Sequence, residues 1–262
     1  MAATRSIAEY LGRDALNTLG ARISSVMPNF PLRTFVQRAS ADVYGKSLFV
    51  RANVVADLLR TYLECDVPSS LRVLVSALPP PRAAEGYGPL ENFMWLPCSR
   101  YVSRHAIDYV GPSLDALREL TRRFTSEFDL RAFLERYPEE VYEEVRVWCN
   151  NPDLHVRRLA VEGTRPRLPW VRRLDQTKFP LDRSLVLLNH LRDDPSRYVR
   201  RSVANHVADL IKGDSKDIYP MLWQWAESGD LKRRWVIRHA IRYPVSKGVS
   251  EARRLMVAVS SG

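Results

Sequence analysis

Asn151-Pro152-Asp153-Leu154-His155-Val156-Arg157-Arg158-Leu159-Ala160 and, 43 residues later, Asp194-Pro195-Ser196-Arg197-Tyr198-Val199-Arg200-Arg201-Ser202-Val203 are two copies of one pattern. Both place proline second and Val-Arg-Arg in the second half. A weaker third copy starts at Val236 with Val-Ile-Arg-His-Ala-Ile-Arg. An interval of about 40 residues built from helix pairs is the spacing of HEAT and armadillo repeats. One such pair cannot bury its apolar stripe alone, so successive pairs stack into a curved superhelix, a solenoid with one concave surface.

The rest of the chain reads the same way. Val54, Val55, Leu58, Leu59 and Tyr62 fall at helical spacing within 51–62. Pro68, Pro97, Pro138, Pro152, Pro180, Pro195, Pro220 and Pro244 recur at intervals suited to helix starts and stops. Residues 79–89, rich in Pro and Gly, read as a loop. Few stretches alternate apolar and polar residues over strand length, so the expected fold class is all-α, one domain over residues 1–262. On a helical projection, Val156, Leu159, Ala160 and Gly163 share the buried side, with Arg158 and Glu162 on a flanking stripe. Arg201, Asn205 and Asp209 form the matching stripe in the next repeat, so two neighbouring helices are expected to point arginine and carboxylate into one groove.

The net charge is +10, from 40 Lys and Arg against 30 Asp and Glu, with a pI near 9.8. Such a balance favours nucleic acid or another anionic partner. Between His155 and Arg173 six arginines face the single acid Glu162 for a net +5. Arginine supplies nearly all the positive charge and suits phosphate, because its planar fork binds two oxygens at once. Cys65, Cys98 and Cys149 are far apart and odd in number, which argues for reduced thiols in the cytoplasm and against a disulfide or zinc framework. The N-terminus lacks a signal-peptide core, and no run approaches a membrane span. The five histidines have no metal spacing, and neither a Gly-rich phosphate loop nor a nucleophile elbow is present. No metal and no cofactor is expected.

Three acids invite chemistry, and each has a structural alternative. Glu162 is either an i,i+4 partner of Arg158, in the less favourable Arg-before-Glu order, or a carboxylate kept for a cationic ligand. Asp209 is either a solvated acid or partner of Arg201, or a second such carboxylate. Glu127, after Thr125-Ser126, looks like a helix-start acid stabilised by the dipole. Among the tryptophans, Trp170, flanked by Pro169 and arginines, is expected to leave the core and offer a plane for stacking. No lysine is read as adjoining the acids, which argues against a Schiff-base step.

The segment His155–Trp170 closely resembles the Arg-Arg-Leu-Ala-x-Glu-Gly-Thr-Arg-Pro-Arg-Leu-Pro-Trp signature of the AlkC branch of HEAT-like DNA alkylation-repair glycosylases. Leu120-Thr-Arg-Arg-Phe-Thr-Ser-Glu127-Phe and Tyr198-Val-Arg-Arg-Ser-Val-Ala-Asn205-His-Val-Ala-Asp209 resemble it in order as well. The resemblance implies a monofunctional glycosylase that removes cationic N3-methylated bases from duplex DNA, chiefly 3-methyladenine, with 3-methylcytosine as a second candidate. It places the catalytic acids at Glu162 and Asp209, with Glu127 as a third and Trp170 beside them. Some relatives carry a further C-terminal β-sandwich, for which residues 1–262 are expected to leave no room.

Arg158, Arg165, Arg167, Arg200 and Arg201 are the candidates for phosphate contacts, which position a protein on DNA without reading sequence. A monomer acting in the bacterial cytoplasm at the nucleoid is expected. The rival readings are a HEAT-repeat paralogue that binds nucleic acid without cutting it, and a protein-binding scaffold.

Overall fold

The computed structural model describes residues 6–86, 88–213 and 216–260, and all regular structure among them is helical. None of these helices is long and apolar enough to cross a membrane. The chain divides into two compact units, Met1–Tyr137 and Pro138–Gly262.

In the first unit a 3-10 turn, Ile7–Leu11, precedes α1 (Arg13–Val26), α2 (Leu32–Asp42), α3 (Leu48–Tyr62) and α4 (Val67–Ser76). A second 3-10 turn, Leu90–Trp95, leads into α5 (Leu96–His105), α6 (Val110–Thr121) and α7 (Glu127–Arg136). The periodicity read in 51–62 is real: Val55 and Leu59 are fully buried on α3, which packs on α5. The described residues of 79–89 do form an irregular loop. Gly86 and Gly88 adopt φ of 94° and 72°, a region that costs an L side chain but not glycine. Arg82 ties this loop down by donating to the carbonyls of Gly86 (2.6 Å) and Phe124 (3.1 Å).

The second unit is three helix pairs and a closing helix. The pairs are α8 (Pro138–Trp148) with α9 (Leu154–Glu162), α10 (Leu181–Leu191) with α11 (Arg197–Ile211), and α12 (Ile218–Glu227) with α13 (Leu231–Ser246). The final helix, α14 (Ser250–Ser260), packs on α12 and α13. The second helices stack in succession, α9 on α11 and α11 on α13, as the repeat predicts. Each begins on a side-chain cap. Asp153 accepts from the His155 amide (2.8 Å), Ser196 from Val199 (3.3 Å), and Asp230 from Lys232 (2.8 Å) and Arg233 (3.0 Å). A cap of this kind contributes about 1 kcal/mol.

The prolines fall mostly at helix starts. Pro244 instead lies inside the last turn of α13, where the carbonyl it leaves without an intrahelical donor is close to the helix end. Between the pairs, arginine and aspartate make the joints. Arg157 of α9 donates to Asp194 (2.6 Å), and Arg233 of α13 donates to Asp193 (2.7 Å).

Candidate acid pair and nucleic-acid interface

The helix α9 ends at Glu162, and the chain turns through Gly163 and Thr164 to Arg165. Thr164 Oγ1 donates to the Ala160 carbonyl (2.8 Å) and secures this turn. Arg165 is thereby brought back over the helix end, where its Nη1 donates to Glu162 Oε1 at 2.5 Å. The same guanidinium reaches the next repeat: Nε donates to Asp209 Oδ2 at 2.9 Å, and Nη2 lies 2.9 Å from the same oxygen. Glu162 and Asp209, 4% exposed each, are thus joined through a guanidinium from the turn between repeats. Ser202, also on α11, hydrogen-bonds Glu162.

The expected Arg158–Glu162 pair is present, but at 3.7 Å it is the longer of the two. Glu162 and Arg158 are also not on a flanking, open stripe. Both are buried, because α11 packs on α9 and Tyr198 lies beside the Arg158 guanidinium, 5.3 Å from its ring centre. Asp209 pairs with Arg165, and no ion pair to Arg201 forms.

Burial penalises both charges, yet the two acids titrate in opposite directions. At Glu162 the desolvation cost is outweighed by Arg158 and Arg165, with help from Ser202, and the carboxyl is held below the usual range. At Asp209 desolvation prevails over Arg165 and Lys212, and nearby Glu162 adds to it, so the carboxyl is pushed up. Arg165 keeps its charge, with both acids offsetting its own burial. Asp209 borders a cleft of about 490 Å³ lined by Pro166, Arg167, Leu174, Gln176 and Leu181. Its Oδ1 receives no hydrogen bond from the described residues, whereas Oδ2 takes Arg165.

The remaining predicted arginines separate by burial. Arg158 (2% exposed) and Arg165 (8%) are largely buried. Arg200 is half-buried and bonded within its own repeat. Its Nη1 donates to the Asp194 and Pro195 carbonyls (2.5 and 3.0 Å), and Arg157, one repeat earlier, does the same to Asn151 and Pro152 (2.9 and 3.0 Å). It braces its own repeat. Arg201 is exposed. Arg167 is half-buried and donates to the Lys212 carbonyl (3.2 Å).

Trp170 leaves the core as expected, 65% exposed, with φ of 68°. That conformation is unusual for so bulky a side chain, and such strain concentrates at functional sites. Buried Leu168, Leu174 and Phe179 anchor the connection that carries it.

Two features escaped the sequence reading. Lys212 does adjoin the acids, at the C-cap of α11 three residues beyond Asp209, and its charge acts on that carboxyl. The other is α13. From Leu231 to Lys247 the chain holds Lys232, Arg233, Arg234, Arg238, Arg242 and Lys247 and no acid, a run that was legible. Trp235 stacks on His239 at 5.0 Å and 20°, with the Arg197 guanidinium 5.0 Å from the Trp235 ring centre. Burial, Arg242, Arg201 and Arg197 together push the His239 imidazole down to about 4, so it is neutral at pH 7. Arg197, Arg201, Arg238 and Arg242 are exposed.

Glu127 belongs to the first unit, where it opens α7 after Ser126 as the sequence predicts, and is almost wholly buried. Ser126 Oγ fixes the helix start by donating to the Leu117 carbonyl at 2.9 Å. Two residues on, Asp129 accepts from Ser99 (2.6 Å), Ser103 (2.6 Å) and Arg100 (2.7 Å). These bonds lock the first turn of α7 onto α5. Among the described residues no cluster of His, Cys, Asp or Glu gathers as a metal site.

No family model matches the chain. The uncharacterized protein YhaZ of Bacillus subtilis (strain 168) is 36% identical over 152 residues, covering 58% of this chain and 42% of that protein. The matched stretch therefore spans less than half the length of that relative. Among solved structures, Pseudomonas fluorescens alkylpurine DNA glycosylase AlkC bound to DNA containing an abasic site analog is similar over 97% of this chain and 69% of its own. The TM-score is 0.86 and the identity 29%.

Proposed function

Because the chain has the AlkC-type, HEAT-like helical fold, we propose that it is a DNA glycosylase of alkylation repair. It hydrolyses the N-glycosidic bond of cationic N3-methylated bases in duplex DNA, 3-methyladenine first and 3-methylcytosine second. The observation that carries this reading is the pair of buried carboxylates, one held ionised and the other raised, joined through one guanidinium. A phosphate-binding surface has no use for such a pair, whereas bond cleavage at a cationic base does. As the bond stretches, positive charge moves onto the sugar, and a preorganised carboxylate stabilises it.

The two acids divide the work by their environments. Glu162, kept ionised by Arg158 and Arg165, is the electrostatic stabiliser. Asp209, with its raised carboxyl and its place on the wall of a cleft, is the better match to a general base for the attacking water. Glu127 is a third candidate acid. Trp170 offers a stacking plane, Arg201 and Arg167 bind phosphate, and the acid-free face of α13 extends the positive track. The enzyme works as a monomer in the cytoplasm and needs no metal or cofactor.

Release of free methylated bases from alkylated duplex DNA tests the proposal, with wild type compared with Glu162→Gln and Asp209→Asn. Release by wild type, with a rate loss of about 10² or more in either variant at unchanged DNA binding, supports it. Tight DNA binding by wild type without release leaves the chain a non-catalytic binding paralogue.

A further inference from the structure

The acid pair depends on a residue whose chemistry is usually assigned to DNA. We propose that Arg165 is a positioning residue: its guanidinium spans the junction between two repeats, sets the spacing and orientation of Glu162 and Asp209, and grips no phosphate. This deepens the reading of the two acids given above, and rests on it for its kinetic consequences alone.

Three observations support the assignment. Arg165 is buried, so a phosphodiester would have to enter the protein to meet it. Donors on both edges of its guanidinium are committed, Nη1 to Glu162 Oε1 and Nε with Nη2 to Asp209 Oδ2. Its place in the chain is also particular. It follows Glu162 by three residues, on a turn secured by Thr164, while Asp209 arrives on the second helix of the next repeat. The two carboxylates come from different repeats, and two buried like charges brought close repel. A cation between them turns that repulsion into a fixed spacing. A planar fork does this and a point charge does not, because only the fork offers two separated edges.

The role also explains why the two acids can respond differently to one cation. Glu162 receives Arg158 as well as Arg165, whereas Asp209 has the shared guanidinium and the exposed end of Lys212. The bridge fixes geometry, and the asymmetry of its surroundings fixes charge.

The test uses the full chain with Arg165→Gln and Arg165→Lys. Carbon-13 carboxyl titrations of Glu162 and Asp209 are read beside single-turnover base release across pH and DNA affinity against salt. In Arg165→Gln the Glu162 midpoint should rise by about one unit or more. Release should fall about 10²-fold through displaced acids, its acidic limb moving up in pH, while DNA affinity and its salt slope stay as in wild type. Arg165→Lys should restore part of the Glu162 midpoint and little of the rate.

Unmoved carboxyl midpoints with a salt slope smaller by about 1 would make Arg165 a phosphate ligand and overturn the proposal. Should Arg165→Gln fail to fold, the lysine variant decides alone, since wild-type release from it would show that the fork is not needed. A wild type that releases no base sinks the glycosylase reading, and the titrations still decide whether Arg165 holds the pair.

Discussion

Neutralising the two acids one at a time should move the stability of the protein in opposite directions while removing the same activity. In Glu162→Gln a carboxylate that accepts from Arg165 at 2.5 Å and lies 3.7 Å from Arg158 is replaced by an amide of equal shape. The amide keeps an acceptor but loses the charge assistance, a loss of about 2 kcal/mol, or about 4–8 °C in Tm for a domain of this size. Glu162 titrates below its unfolded value. Its stabilisation is therefore complete above the unfolded value of about 4.3 and disappears as pH falls through the folded one. The deficit of the glutamine variant should shrink on the same acidic side.

Asp209 has the opposite sign. Its raised carboxyl means that ionisation costs the folded state more than the unfolded. The penalty is fully present above the folded midpoint and relieved as pH drops towards the unfolded value of about 3.9. Asp209→Asn should accordingly raise Tm at pH 7, with an advantage that fades on acidification. Both variants should lose about 10²–10³ in base release. Calorimetric melts at pH 4, 5.5 and 7, paired with release assays at the upper two, read out both quantities. Equal destabilisation by the two variants at pH 7 would refute the charge assignment, because Asp209 would then be as well stabilised as Glu162.

Other consequences follow from the basic surface and the exposed tryptophan. Arg238→Ala and Arg242→Ala should each lower the slope of log K for DNA against log salt by about 1, and a slope identical to wild type removes α13 from the interface. Trp170→Gly keeps the φ of 68° accessible and should change stability by less than about 1 kcal/mol, while loss of stacking lowers release about tenfold; an unchanged rate would leave Trp170 without a role in the site. Lys212 is exposed and so lacks the desolvation that makes a lysine a ready nucleophile. Borohydride should trap no covalent adduct with abasic DNA, and an adduct lost in Lys212→Ala would reassign the chain as a lyase.

What was legible in the sequence is what obeys a period. The 43-residue offset between Asp153 and Ser196 located two capped helices and put Glu162 and Asp209 on neighbours that do pack together. The same offset equates Arg157 with Arg200, and their matching bonds to local carbonyls could have been foreseen from it. What a helical projection cannot carry is the turn after the helix ends. Arg165 lies there, and nothing in the spacing of α9 says that its side chain folds back over Glu162. Arg158 and Arg201 show the other limit. They occupy equivalent positions, yet one is buried beside Tyr198 and the other exposed, because burial is decided by the neighbouring helix and not by the helix itself.

The same offset shows how this site stays unique in a repetitive chain. Moved forward by 43 residues, Glu162 and Arg165 become Asn205 and Ala208, and no bridge can form. The backbone thus offers the same junction more than once, and side-chain choice fills it once. New chemistry in such a chain asks for three substitutions at an existing junction and no new fold, and loss of the chemistry asks for one. Paralogues that keep the stacked helices but have lost the acid bridge are therefore the expected by-product of this architecture, and the three positions 162, 165 and 209, read together, are where the two kinds would part.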